Sequence, residues 1–359
     1  MPGGDKVYVL VFAGGGALSA YQWGAYEVLQ EVGFLPQVVG GYSMGGVLGA
    51  LIASHEPMVR SRKIAAFFEE ISWPDMPEMI APTEPMRQFH NFVTSMQGLV
   101  FGQPNFFSPR LPMAFMQPPG STDATSFYDT SKFTNTLNGL IDVAALNKGH
   151  GTRLVLSATE VETSQSVFFD SFSRNMQIEH IMASCALPPH FPAVTIGAKA
   201  YWDGAMASDL PLDEILRLYA GRDILCMVID PYAPHGPMPD TIDTVQGRVR
   251  DLMMATRIHR SLTHIVDLWN AREEDDNAAR LDVVHVMYGK PREELSSRDF
   301  DYSRSSIARR RQQGIEDMRL VINHGGWQQE TSTPSSAKGP LARLHSYIGG
   351  QSTRAKSRT

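Results

Sequence analysis

The N-terminal segment constrains this chain most, because two short apolar runs each end in glycines and each is followed by a helical pattern. Val7–Phe12 is short, apolar and mostly β-branched or aromatic, which suits a strand buried on both faces of a parallel sheet. After Ala13-Gly14-Gly15-Gly16-Ala17, the stretch from Leu18 to Val32 sets Tyr21, Ala25, Val28, Leu29 and Val32 at helical spacing, and Gly33 closes it. Residues 37–41 form a second strand that runs without a linker into Tyr42-Ser43-Met44-Gly45-Gly46 and a helix over 47–54. Parallel strands joined through helices need helical cover on their faces, so this βαβα start predicts a layered α/β domain.

Gly41-Tyr42-Ser43-Met44-Gly45 has the G-x-S-x-G form of a nucleophile elbow and sits between strand and helix, as that motif requires. There the serine occupies a strained turn at a helix N-terminus, which favours developing negative charge. The plainer alternative is a glycine-rich turn with a capping serine. The Gly14-Gly15-Gly16 loop occupies the matching position after the first strand, where unhindered amides suit an oxyanion hole. Dinucleotide binding fits it less well, since G-x-G-x-x-G would need glycine at Ser19.

A serine nucleophile needs a base. His235, His259, His264, His285, His324 and His345 occur in no catalytic setting, and His259 and His264 diverge on their helix. Asp203, in Tyr201-Trp202-Asp203-Gly204-Ala205, ends a strand in a glycine turn and could take the serine proton directly. An ordinary aspartate pKa of about 3.9 would keep that base ionised at neutral pH.

Residues 73–120 interrupt the pattern with prolines among Met and Phe and read as an irregular insertion, either packed surface loops or an apolar cover over a lipid-binding cleft. Extended segments follow at 152–159 and 166–169, a hairpin at 193–202 around Gly197, and a buried strand at 224–229. Helices over 241–272 and 303–323 flank a short strand at 283–287, giving a mainly helical extension over 231–327. Residues 328–359 are Ser/Thr/Gly/Pro-rich with a basic excess and are expected to be disordered.

The 359 residues carry a net charge of -6 with no long basic run, which argues against a nucleic-acid partner. Two cysteines, Cys185 and Cys226, make no disulfide framework and point to a reducing, cytoplasmic compartment. The N-terminal apolar run is too short for a secretory leader, and no stretch is apolar enough to span a bilayer. No metal-binding motif appears, and neither a metal nor a cofactor is expected.

Taken together, Gly14-Gly15-Gly16-Ala17, Gly41-Tyr42-Ser43-Met44-Gly45, Asp203-Gly204-Ala205 and the upstream Ala183-Ser-Cys-Ala-Leu-Pro-Pro189 resemble the patatin-like phospholipases. The resemblance covers about residues 5–230. It implies a three-layer α/β fold around a mostly parallel central sheet, with Ser43 as nucleophile and Asp203 as general base. It further implies an oxyanion hole from Gly14, Gly15 and Gly16, and places Gly41, Gly45 and Gly204 in the elbow and turn. The substrate implied is a fatty-acyl ester of a phospholipid or related lipid, met in the cytoplasm or in transient contact with a membrane surface. An acyltransferase, a thioesterase, an intracellular polyester hydrolase or a silent lipid-binding protein would share these features. The chain departs from the family where Leu18 and Ser19 stand in place of the loop's usual basic residue and glycine. The stretch Arg298-Asp-Phe-Asp-Tyr-Ser-Arg304 resembles the helical extension of a bacterial branch, with no chemistry attached to it.

Overall fold

The computed structural model describes residues 6–73, 83–207, 210–272, 279–289, 291, 294–325 and 341–353. The chain begins with β1 (Val7–Phe12), α1 (Ser19–Glu31), β2 (Val38–Gly41), α2 (Ser43–Ala53), α3 (Pro57–Ile71) and α4 (Glu84–Phe101). A small ribbon of β3 (Ser108–Pro109) and β4 (Tyr128–Asp129) precedes α5 (Ser131–Leu140) and α6 (Val143–Leu146). Next come β5 (Arg153–Glu160), β6 (Ser166–Asp170), α7 (Ile178–Ser184), β7 (Val194–Ile196), β8 (Lys199–Asp203), α8 (Leu212–Leu218) and β9 (Ile224–Asp230). The last elements are α9 (Ile242–Asn270), β10 (Leu281–Met287), α10 (Arg304–His324), β11 (Ala342–Ile348) and β12 (Gln351–Ser352).

One mostly parallel sheet orders its strands β12-β11-β10-β9-β1-β2-β5-β8-β7, with β6 paired to β5. Alternation along β1 divides the core. Leu10 and Phe12 face α1, α2, α3 and α10, whereas Val7, Val9 and Val11 face α8 and α9. Helices therefore cover both faces, which gives the three layers expected of buried parallel strands.

The register explains how residues far apart in sequence meet. β2 runs beside β5 only as far as Gly41 opposite Leu156. On that same edge of β5, β8 pairs antiparallel from Glu160–Tyr201 to Ala158–Asp203. The other edge of β5 is taken by β6. β8 thus runs towards the end of β2, and its last residue, Asp203, arrives where α2 begins.

Two expectations are corrected. The 73–120 insertion contains an 18-residue helix, α4, because Pro85 sits in its first turn and Gly102, at φ +79°, ends it, so these breakers bound the helix instead of interrupting it. Pro74, Pro77 and Pro82 lie outside the described residues. The tail is also not uniformly unstructured: β11 adds parallel to β10 from Leu281–Ala342 to Met287–Ile348. Its mixed residues, Ala-Arg-Leu-His-Ser-Tyr-Ile, lack an apolar run, and tertiary pairing supplies the strand that local composition does not signal.

The sheet continues past residue 230, since β9 lies between β1 and β10. Across one face, α1 and α10 cross closely enough that a Cβ on Gly24 would overlap the Arg311 carbonyl, and one on Gly314 the Tyr21 carbonyl. Among the described residues no helix is long and apolar enough to cross a membrane.

Removing residues 326–359 should lower the melting temperature by at least about 4 °C, because β10 loses one of its two ladder partners and the core loses the buried Tyr347 side chain. Differential scanning calorimetry of the truncated and full chains checks this, and equal melting temperatures would return the tail to a dispensable role.

Candidate active site

Ser43 is separated from β2 by Tyr42 alone and opens α2 with φ at +54°, a left-handed conformation that costs a non-glycine residue about 1–3 kcal/mol. The surrounding glycines explain why the turn can be so tight. A Cβ on Gly45 would lie 2.6 Å from the carbonyl oxygens of both Phe12 and Ala13, and one on Gly41 would lie 2.7 Å from Phe12 O. On the facing loop, a Cβ on Gly14 would sit 2.7 Å from Ser43 Cβ. At the far turn, one on Gly204 would sit 2.7 Å from Ser157 O and 2.8 Å from Tyr42 Cβ. The structure therefore brings Gly14, Gly41, Gly45, Gly204, Ser43 and Asp203 into one place.

Asp203 is fully buried. Its backbone amide donates to Ala186 O at 3.0 Å and its carbonyl accepts from Thr159 Oγ1 at 3.0 Å, so both β5 and the 183–189 segment fix its position. Its Oδ1 accepts from the Ala205 amide at 2.8 Å. The Ser43 hydroxyl faces the carboxylate closely enough to lower its pKa, without closing a formed hydrogen bond on Oδ2. Burial outweighs both contacts and raises the Asp203 pKa to about 7. The expectation of an ordinary, fully ionised aspartate is thereby corrected, because sequence does not register desolvation.

The glycine loop is held from several sides. Gln22 Nε2 of α1 donates to the carbonyls of Ala13 at 2.7 Å and Ile229 at 2.9 Å, tying the ends of β1 and β9. Ser19 Oγ donates to Gly16 O at 2.7 Å, and Leu18 is buried in the core, so the two departures from the family pattern serve packing and capping here. The amides of Gly15 and Gly16 donate to no acceptor among the described residues.

Sequence reasoning missed two neighbours. Gly16, at φ +54°, lies against the backbone carbonyl of Asp299, and the Asp299 Oδ2 accepts from Tyr232 Oη at 3.0 Å and Arg250 Nη1 at 2.9 Å. The 298–304 stretch therefore walls the glycine loop, and the repeated Arg and Asp of its sequence were the available signal. His190, beside Phe300 with ring centroids 4.9 Å apart, has its pKa lowered by burial and by Arg250, against an opposing effect of Asp299. His285, by contrast, is fully buried in β10 with Nε2 3.1 Å from Asp230 Oδ2, and no described hydrogen bond joins it to Ser43.

Residues 10–216 match the family model described as Patatin-like phospholipase, more than half of the chain. The chain belongs to the patatin-like phospholipase family. Residues 244–333 of this patatin-like chain match a second model, described as Patatin phospholipase. Among solved structures it is similar to VipD from Legionella pneumophila, at 13% identity over 86% of this chain and 67% of that one, with a TM-score of 0.36. It is also similar to Pseudomonas aeruginosa ExoU, solved in complex with SpcU, at 14% identity over 94% of this chain and 66% of that one, with a TM-score of 0.28. The patatin-like chain thus spans about two thirds of the length of those two proteins. No curated protein matches it. Membership in this family makes lipid-ester hydrolysis its class of chemistry.

A carboxyl whose pKa is higher folded than unfolded binds its proton more tightly when folded. Its contribution to stability is complete below about pH 4 and is lost as pH rises to about 7. Asp203→Asn carries no such loss, so its stability advantage over wild type should grow between about pH 4 and 7 to the order of a few kcal/mol. Urea unfolding across that range measures it, and a difference independent of pH would refute the buried, pH-sensitive carboxyl.

Proposed function

We propose that this chain hydrolyses fatty-acyl esters of phospholipids or related lipids, in the manner of a phospholipase A or lysophospholipase, with a Ser43–Asp203 dyad. The observation that carries this reading is the direct approach of the strained Ser43 hydroxyl to the buried Asp203 carboxylate, with no imidazole between them. Asp203 takes the hydroxyl proton as Ser43 Oγ attacks the ester carbonyl, and the amides of Gly14, Gly15 and Gly16 hold the resulting oxyanion. Collapse expels the alcohol, which receives the proton from Asp203, and leaves an acyl-serine. Water then attacks the acyl-serine with Asp203 again accepting a proton, and the fatty acid departs as Ser43 recovers its own.

Burial supplies the base strength. A carboxylate near pKa 7 is still half ionised at neutral pH and accepts a proton far more readily than one near pKa 4. The two cysteines, both buried and free, support the cytoplasmic setting.

Ser43→Ala and Asp203→Asn should each lower turnover of a fatty-acyl ester by about 10³-fold or more while circular dichroism stays native. Ser43→Ala should also abolish labelling by a fluorophosphonate probe. Either variant keeping a tenth or more of wild-type turnover would remove that residue from the mechanism.

Because the base must be ionised, kcat/KM of the wild type should rise with pH through an apparent pKa of about 7. His190→Gln should leave that profile unmoved if Asp203 is its source. A profile flat from pH 5 to 8, or one abolished by His190→Gln, would assign the titration elsewhere.

A further inference from the structure

Asp230 and His285 form a polar pair inside the sheet that the mechanism above leaves unused. Both side chains are fully buried, and His285 Nε2 lies 3.1 Å from Asp230 Oδ2 between the last residues of β9 and β10. Taking an acid and an imidazole out of water is costly, and apolar residues in place of such a pair are often neutral or stabilising. Joining the two strands does not require it, since the parallel ladder already pairs β9 with β10 from Ile224–Leu281 to Asp230–Met287. His285 Nδ1 has no hydrogen-bond partner among the described residues, so the imidazole bonds Asp230 alone.

What the pair does hold is the turn that follows β9. Asp230 Oδ1 accepts from the Tyr232 amide at 2.9 Å, which closes a tight turn around Pro231. That turn reaches the glycine loop at two points. Pro231 packs on Gly15, where a Cβ would lie 2.5 Å from the proline Cγ. Tyr232 Oη donates to Asp299 Oδ2 at 3.0 Å, and the Asp299 carbonyl lies against Gly16. Gly15 and Gly16 carry the amides that donate to no acceptor among the described residues, and each has a neighbour placed by this turn. We infer that Asp230, oriented by His285, is a positioning residue for the oxyanion loop, acting through Pro231 on Gly15 and through Tyr232 and Asp299 on Gly16. The inference rests on the hydrolytic reading above, but one arm of its test needs no turnover.

Asp230→Ala removes the acceptor of the Tyr232 amide, whereas Asp230→Asn keeps an oxygen there and changes only the group that faces His285. On a short water-soluble ester, Asp230→Ala should lower kcat by about 10- to 100-fold with KM within about threefold, less than the 10²–10³ that deleting an oxyanion donor costs. Its inhibition constant for an alkyl trifluoromethyl ketone, which adds to serine as a tetrahedral oxyanion, should rise by a similar factor. Asp230→Asn should hold kcat within about threefold of wild type even where its melting temperature falls. A pair that only joined two strands would lose stability in both variants and kcat in neither. Wild-type kcat in folded Asp230→Ala, or an equal loss of kcat in both variants, overturns the inference. Should Asp230→Ala not fold, Pro231→Ala carries the test: without the ring that packs on Gly15, kcat should fall at least about threefold at unchanged KM, and a wild-type kcat is equally fatal. In the arm without turnover, the Ser43→Ala protein is labelled with 15N-glycine. Order parameters of the Gly15 and Gly16 amides should fall from about 0.85 towards 0.6 on adding Asp230→Ala or Pro231→Ala and hold on adding Asp230→Asn. Unchanged values in every variant overturn the inference. Loosened amides beside a wild type that cleaves no ester would count against the dyad and leave the positioning role standing.

Discussion

Around Ser43 there is no room for a β-carbon. Gly14, Gly41, Gly45 and Gly204 come from three regions of the chain, yet each would clash with a neighbour of the serine if it carried a side chain. This crowding makes the strained turn sustainable. The left-handed conformation of Ser43 is unfavourable in isolation, but the pairing of Phe12 with Gly41 fixes the strand before it and α2 fixes the chain after it. The serine has nowhere to relax, and the sheet that binds its flanks also delivers Asp203 along the edge that β2 leaves open.

Burial pushes the pKa of two carboxyls in this fold upwards, and their neighbours decide whether that rise survives. Desolvation raises Asp203 because only two neutral donors, the Ala205 amide and the Ser43 hydroxyl, oppose it. Glu294 is also desolvated, yet Arg310 and Arg298 outweigh that and hold its pKa below the ordinary range. Glu294 bonds Arg310 Nε at 2.7 Å and Tyr288 Oη at 3.1 Å, while Arg298 pairs with Asp251. An acid compensated in this way is fixed as a structural anion, whereas an uncompensated one remains ready to accept a proton. That contrast separates the group suited to proton transfer from those that hold the extension together.

Much of the N-terminal architecture was legible in the sequence because its signals are local. The apolar run of β1, the glycines after it, the elbow at Gly41–Gly45 and the Gly197 turn each follow from short-range chemistry. The remaining features depend on neighbours that local patterning does not reveal. Periodicity can identify an amphipathic helix but assumes that its apolar side turns inward, and α4, which buries Asn91, Ser95 and Gly98 and exposes Phe89 and Phe92, breaks that assumption. β11 owes its form to β10, the Asp203 pKa owes its shift to complete burial, and Asp299 reaches Gly16 across a gap of more than 280 residues.

The C-terminal extension is more than an appendage to the region that carries Ser43 and Asp203. α10 presses its backbone at Gly314 against α1, and α1 in turn supplies Gln22, whose amide holds the carbonyls of Ala13 and Ile229. Those two carbonyls mark the points where β1 and β9 release the chain into the loops around Ser43. On the other side of the glycine loop, Asp299 meets Gly16 while Tyr232 and Arg250 hold its carboxylate. One element of the extension therefore supports the helix that anchors the loop, and another closes the space into which the loop could move. A loop whose amides must meet a developing negative charge gains from both, because donors already fixed in place need no reorganisation as the charge forms.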